Sequence, residues 1–331
     1  MSLKILKTGV LDTIQDLGRF GYQQFGINPT GAMDRYSAAI SNILVGNKQN
    51  EAVIEMHFPA PSILFTRPAL IALSGADFDA NINGRSIQVD QPLIINKDSI
   101  LQFRSLKSKS HCYLAVEGGM NIPGWLNSYS TNTKAEAGGY HGRRLLKDDV
   151  LEFNNDMDYD LGDDDFKILP WKANEGYGTA PAEEVLVIKS NEWDWLDEES
   201  QKKFLKNPFY ISPNSDRMGY RLASEPLHLT VNTELISSAV NFGTIQLLPD
   251  GQLIILMADH QTTGGYPRLG NIISTHLPNL AQLKVGEEIR FKFIAHDAAE
   301  SLLIKQHQHL RQLEIACKLK LENLNYENDR H

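Results

Sequence analysis

The feature that most constrains this chain is a rhythm of short β-branched and alternating apolar runs broken by glycine, asparagine or aspartate. AVIEM at 52–56, LIALSG at 70–75, SILQF at 99–103 and HCYLAVEGG at 111–119 read as strands, because such side chains at period two pack well on a pleated surface. The rhythm resumes with EVLVIKS from residue 184, LHLTV from 227, GTIQLL from 243, QLIILMAD from 252, NIIST from 271 and EEIRFKFIA from 287. Asn83-Gly84-Arg85 between ANI and SIQV predicts a hairpin, since Asn and Gly both tolerate positive φ. Helical patterns are few. Asp34 caps a segment through Leu44 with Ile40, Ile43 and Leu44 on one face and Gly46 as its stop. A second runs from near Asp197 to Leu205, and a third covers 297–321 with Leu302, Leu303, Leu310, Leu313 and Cys317 in one stripe. The expected fold is mainly β, with a few short helices and a C-terminal helix.

At 331 residues the chain exceeds what one core commonly supports, which favours two lobes. NDMDYDLGDDD from Asn155 places six aspartates in eleven residues ahead of a Pro- and Gly-containing stretch, the composition of a solvated linker. The expected organisation is therefore an N-terminal β-rich lobe at 1–154, an acidic linker at 155–181, a C-terminal β-rich lobe at 182–296 and a helical tail at 297–331. A net charge of −9 and a pI near 5.6 exclude a basic face for nucleic acid or anionic membrane. Cys112 and Cys317 are too few for a disulfide scaffold and make no CxxC pair. The N-terminus lacks the apolar run of a signal peptide, and no stretch approaches the roughly 20 apolar residues that span a bilayer. A cytoplasmic location is expected.

No GxxxxGK[ST], GxGxxG after a strand, HExxH, GxSxG or EF-hand pattern is present, so no metal is expected. Three segments carry polar groups suited to chemistry. In MADHQTTGGYP, from Met257 to Pro267, a strand delivers Asp259, His260, Gln261, Thr262 and Thr263 into Gly264-Gly265 and Tyr266. Hydroxyls, an amide and open glycine backbone suit a carboxylate, amide or phosphate, although a plain polar turn has the same composition. His260 is in reach as a proton shuttle, yet a lone histidine is more often structural. In TIQDLGRFGYQQFGINPTGAMD, Gln15, Asp16 and Arg19 precede a glycine-rich run into a capped helix. That is either an anion clamp or a structural Asp16–Arg19 pair. In NSDRMGYRLAS, Asp216, Arg217 and Arg221 surround Gly219; the arginines can cradle an anion, or Asp216 can satisfy one of them.

Taken in order, QDLGRFGYQQFGINPTGAMD, LVGN, ALSGAD, YLAVEGG, NSDRMGYRL, GTIQLLPDGQ and MADHQTTGGYP cover about residues 8–295. The chain resembles the biotin-dependent carboxyltransferase-like family of allophanate hydrolase subunit 2, the Kip inhibitor antagonist and the 5-oxoprolinase C subunit. The resemblance implies cyclophilin-like β-barrel lobes and carries over Gln15, Asp16, Gly18, Arg19, Gly31, Asp34, Asp216, Arg217, Gly219, Arg221, Gln246, Asp259, Gln261, Thr262, Thr263, Gly264, Gly265 and Tyr266. Three departures stand out. Tyr129 in NSYST replaces an arginine, Ser238 in SSAV replaces a carboxylate, and Asp148-Asp149 stands where the family has GD.

The resemblance also implies one component of an ATP-dependent 5-oxoprolinase that opens 5-oxo-L-proline to L-glutamate. Its partners would be sibling subunit 1, which is Kip inhibitor-like, and a third 5-oxoprolinase subunit. Asp259, Gln261 and Arg217 are the expected catalytic residues. Gln15, Asp16, Arg19, Asp216, Arg221, Thr262, Thr263, Gly264, Gly265 and Tyr266 are expected to bind the lactam and its anions. ATP is the expected cofactor of the complex, with no covalent biotin on this chain, which lacks Met-Lys-Met. The alternatives are a carboxyltransferase component acting on urea or a related amide with carboxybiotin, or a regulatory protein that binds a kinase inhibitor.

Overall fold

The mainly β reading holds, with two corrections: LHLTV from 227 is not a strand, Leu229 making only an isolated bridge with Leu196, and only the second of the two β-rich lobes closes into a barrel. The computed structural model describes residues 2–155, 159–173, 184–231 and 235–328, and divides into two compact units. The first takes Met1–Arg19, Asp34–Tyr177 and His307–His331; the second takes Phe20–Met33 and Gly178–Gln306. Among the described residues, no helix is long and apolar enough to cross a membrane.

In the first unit, two six-stranded sheets enclose a core of Leu3, Ile5, Ile54, Phe65, Ile71, Leu114 and their neighbours. One sheet runs Val150–Leu151, Leu3–Lys7, Ser62–Phe65, Ile100–Phe103, Ala80–Ile82, Arg85–Ser86. The other runs Phe166–Ile168, Leu93–Ile95, Ala69–Asp77, Ser108–Val116, Val53–His57, Thr13–Gln15. Leu3–Lys7 buries alternate residues, the mark of a strand with one face in the core. Ala69–Asp77 is instead buried nearly throughout, because helix α1, Arg35–Leu44, covers its other face. The small residues Ser37, Ala38, Ala39 and Ser41 of α1 are buried there. The Asn83-Gly84 hairpin forms, with φ of 49° and 87° at its two turn residues.

The span 155–181, read from sequence as a linker, holds a strand among its described residues. Phe166–Ile168 pairs with Leu93–Ile95, and Phe166 and Leu169 are buried just after a run of three aspartates, Asp163 to Asp165. Two buried apolar side chains and a sheet ladder outweigh the local acidity. Residues 156–158 and 174–181 of that span lie outside the described residues.

The second unit is a closed barrel of seven strands in the order Glu184–Lys189, Arg268–Ile272, Thr244–Leu247, Leu253–Leu256, Gly219–Ala223, Phe209–Ile211, Glu288–Phe293. It closes by a parallel pairing of Glu184–Lys189 with Glu288–Phe293. Helix α2, Glu198–Lys206, is capped by Asp197, whose carboxylate accepts from Ser200 N. It inserts Phe204, whose ring stacks on Phe291 at 4.6 Å and meets Trp193 edge-on at 5.0 Å. A short helix α3, Leu277–Ala281, contributes Leu280 to the same core. The C-terminal helix α4, His296–Asn328, is longer than the 297–321 stripe suggests. Its stripe residue Cys317 is buried, and burial pushes that thiol up to about 11.

Candidate functional site

In the second unit, strand ends bring two of the sequence motifs together. The Leu253–Leu256 strand pairs with Gly219–Ala223, so the residues beyond one end of each strand, 257–259 and 216–218, lie side by side. Arg217 then grips Asp259 with both arms of its fork, Nε to Oδ2 at 2.9 Å and Nη2 to Oδ1 at 3.0 Å. The same Nη2 donates to the Gly31 carbonyl at 2.6 Å. Asn28 adds a second tie, its amide donating to the carbonyls of Asp259 at 3.0 Å and His260 at 2.6 Å. Thus the stretch Asn28 to Gly31 is fastened to the base of the Met257–Pro267 segment.

Other residues of these motifs have defined duties. Asp216 is a turn residue, its Oδ1 accepting from Met218 N at 2.8 Å and Gly219 N at 3.2 Å. Arg221 projects from its strand into solvent, away from the clasp that its neighbour Arg217 makes. His260 is buried, and its Nδ1 donates to the Gln261 carbonyl at 2.6 Å; a carbonyl only accepts, so this nitrogen carries the proton. Thr263 and Gly264 pair with Ser238–Ala239 in a two-stranded sheet, and Tyr266 is exposed.

Beneath that small sheet lies Gln246, buried to within 1% of full enclosure, with neither amide atom hydrogen-bonded to a described residue. A side chain at Gly264 would put its Cβ 2.6 Å from Gln246 Nε2, so glycine there makes room for this amide. Beside it, Arg268 forks onto Glu192 at 3.1 and 2.8 Å and donates from Nη1 to Ser238 Oγ at 2.9 Å. Burial acts to raise the Glu192 carboxyl, but the Arg268 guanidinium outweighs it and holds the pKa below the usual glutamate range. Thr244, Asn271 and Ser190 continue the chain of bonds at 2.8 and 3.0 Å. With Arg268 and Glu192 they line a polar recess of about 280 Å³. Ser238 thus meets Arg268, and the negative charge facing that guanidinium is that of Glu192.

In the first unit, Gln15, Asp16 and Arg19 are buried, and their work is internal. Asp16 accepts from Tyr129 N at 2.7 Å, Ser128 Oγ at 2.9 Å, Gly18 N at 2.8 Å and Ser130 Oγ. Arg19 is fully enclosed, donating to the carbonyls of Trp125 at 3.1 Å and Ser130 at 2.7 Å, with its guanidinium 4.2 Å from the Trp125 ring centre. The expected anion clamp is therefore corrected: both residues fasten the 125–130 loop, and neither faces solvent. Gln15 donates to Thr13 Oγ1 at 3.0 Å. A separate recess of about 480 Å³ in this unit is lined by Leu11, Thr133, Glu136, His141, Arg143 and Arg144.

Sequence reasoning passed over Asn28, Glu192 and Arg268. Asn28 sits inside a motif already marked, but nothing in its spacing points 231 positions ahead to Asp259. Glu192 and Arg268 are joined by the antiparallel pairing of Glu184–Lys189 with Arg268–Ile272, which their positions in the sequence do not announce.

Residues 25–293 match the family described as carboxyltransferase domain, subdomain A and B. The chain is 35% identical to the 5-oxoprolinase C subunit of Haemophilus influenzae, over 91% of this chain and 94% of that one. It is 32% identical to the Escherichia coli protein of the same name, over 97% and 100%. Among solved structures, the K. lactis urea amidolyase superposes with a TM-score of 0.84 at 25% identity, covering 94% of this chain and 20% of that one. A near full-length match to one family, with its motif residues at the joints of the fold, means that the chain belongs to the carboxyltransferase domain family, subdomain A and B.

Proposed function

We propose that this chain is the C subunit of an ATP-dependent 5-oxoprolinase, and that with its sibling subunit it prepares 5-oxo-L-proline for ring opening to L-glutamate. The observation that carries this reading is the likeness, along almost the whole of both chains, to proteins named as the C subunit of 5-oxoprolinase. Phosphoryl transfer from ATP to the lactam oxygen, with ADP leaving, opens the ring carbon to attack by water; C–N cleavage then leaves an acyl phosphate, which a second water hydrolyses to glutamate and inorganic phosphate. Such chemistry calls for hydrogen-bond donors at the developing oxyanion and at the phosphate. Gln261, Thr262, Thr263 and the Gly264-Gly265 backbone are the groups assigned to the substrate, with Asp259 and Arg217 holding that segment in place. A third protein completes the hydrolysis, and the assembly works in the cytoplasm.

The test is reconstitution. This chain, its sibling and the third protein are mixed, and ATP hydrolysis is followed with and without 5-oxoproline. Lactam-dependent release of phosphate and glutamate is expected, lost when this chain is omitted; no stimulation by the lactam overturns the reading. A second reading, transfer of a carboxyl group from carboxybiotin to urea, rests on the fold shared with K. lactis urea amidolyase. Turnover of urea with a biotinylated carrier, and none of 5-oxoproline, would favour it.

A further inference from the structure

Three metal-ligating side chains converge on one sheet face of the first unit. Glu55 and His57 stand two apart on the strand Val53–His57 and so share a face. Its antiparallel neighbour Ser108–Val116 sets His111 opposite His57 and Tyr113 opposite Glu55. One ligand atom from each of Glu55, His57 and His111 lies within 4.8 Å of the other two. Glu55 and His111 are buried and His57 is half-buried.

The surroundings orient these ligands as metal sites require. The Leu11 carbonyl lies 2.9 Å from His57 Nδ1. It can only accept, so Nδ1 carries the hydrogen and the neutral ring presents the Nε2 lone pair. Tyr113 donates its hydroxyl to Glu55 Oε2 at 2.8 Å and accepts from the Asp34 amide at 2.8 Å, which fixes the carboxylate. The two imidazoles meet edge to face, with centroids 4.4 Å apart.

We propose that Glu55, His57 and His111 bind one divalent transition-metal ion, with Zn²⁺ the best match. Two imidazoles and one carboxylate suit a borderline ion, whereas Ca²⁺ and Mg²⁺ prefer all-oxygen shells. Ligands about 2.1 Å from a tetrahedral ion stand about 3.4 Å apart. The three ligand atoms, within 4.8 Å of one another, reach that spacing by small side-chain adjustments, and His57, which is only partly buried, gives the ion its way in. A divalent charge offsets the burial of the Glu55 carboxylate. Three protein ligands leave a fourth position for water.

The full-length chain, stripped with a chelator, is titrated with Co²⁺ as a visible probe. One equivalent should bind with the absorption bands of a four-coordinate ion carrying nitrogen ligands, Zn²⁺ should displace it, and each metal should raise Tm. His57→Leu, at a half-buried position, should weaken binding at least tenfold and remove the Tm rise, and His111→Phe should do the same. Should His111→Phe fail to fold, His57→Leu alone decides. Equal uptake by the native chain and His57→Leu, or no uptake by the native chain, overturns the proposal. None of these readouts needs the partner proteins.

Discussion

Arg217 and Asp259 form the joint on which the Met257–Pro267 segment turns, and both side chains are mostly enclosed, at 11% and 16% exposure. Removing one partner of such a pair strands the other, at a cost of about 3 kcal/mol. Arg217→Ala should therefore lower Tm and release residues 28–31, seen as faster amide exchange there. Gly264→Ala separates stability from function. The new methyl displaces the tip of the Gln246 side chain and touches Val240, so stability should fall by about 1 kcal/mol, while the reconstituted assembly should need more 5-oxoproline for half-maximal ATP hydrolysis. Asp12 supplies a pH signature. It is buried, its Oδ2 accepts from Gly9 N at 2.6 Å, and burial raises its carboxyl to about 7 against the pull of that bond and of Arg144. Between its ordinary pKa, near 4, and about 7, the unfolded chain has given up this proton and the folded chain keeps it, so stability falls as pH rises. Relative to Asp12→Asn, the native protein should lose roughly 1.4 kcal/mol per pH unit across that window and nothing further above it, as measured by denaturant unfolding at several pH values. Residue identities alone showed Asp16 and Arg19 as polar groups in a glycine-rich stretch. They could not show which carbonyls and hydroxyls wait for them more than 100 positions away.

The elements that sequence made most legible are those with local caps. Asp34 receives Ser37 N at 2.9 Å and Ser37 Oγ at 2.5 Å at the start of α1, and Gly46 takes φ of 78° just past its end. Asp34→Ala should cost about 1–2 kcal/mol, read from the shift of the denaturant midpoint. Strands buried on one face were legible from their alternation, as in Leu3–Lys7. Phe166–Ile168 was not, because its neighbours are aspartates and its reason to be a strand is the ladder it makes with Leu93–Ile95. In the part of α4 that belongs to the first unit, Tyr36 meets His309 at 2.9 Å and Gln49 meets Glu314 at 3.0 Å, polar ties that an apolar stripe does not announce. At Asp148 φ is 70°, a conformation that aspartate tolerates better than most side chains.

At the scale of the whole molecule, the compact units do not follow boundaries drawn along the chain: the C-terminal helix is divided after Gln306, and residues 20–33 belong to the second unit although 1–19 and 34–177 belong to the first. The reason is physical and specific. Asn28 and Gly31 are bonded to Asp259, His260 and Arg217, and Met33 is buried in the barrel core, none of which leaves a mark in composition. The barrel closes through its first and last strands, Glu184–Lys189 and Glu288–Phe293. During synthesis, the earlier of these leaves the ribosome about a hundred residues before its parallel partner, which takes roughly 5–20 s at ordinary elongation rates. For that interval the growing chain carries an open sheet edge and an uncovered aromatic pocket around Phe204. A message cut short before Glu288 should give an aggregating product, whereas one that reads through Phe293 has every barrel strand it needs.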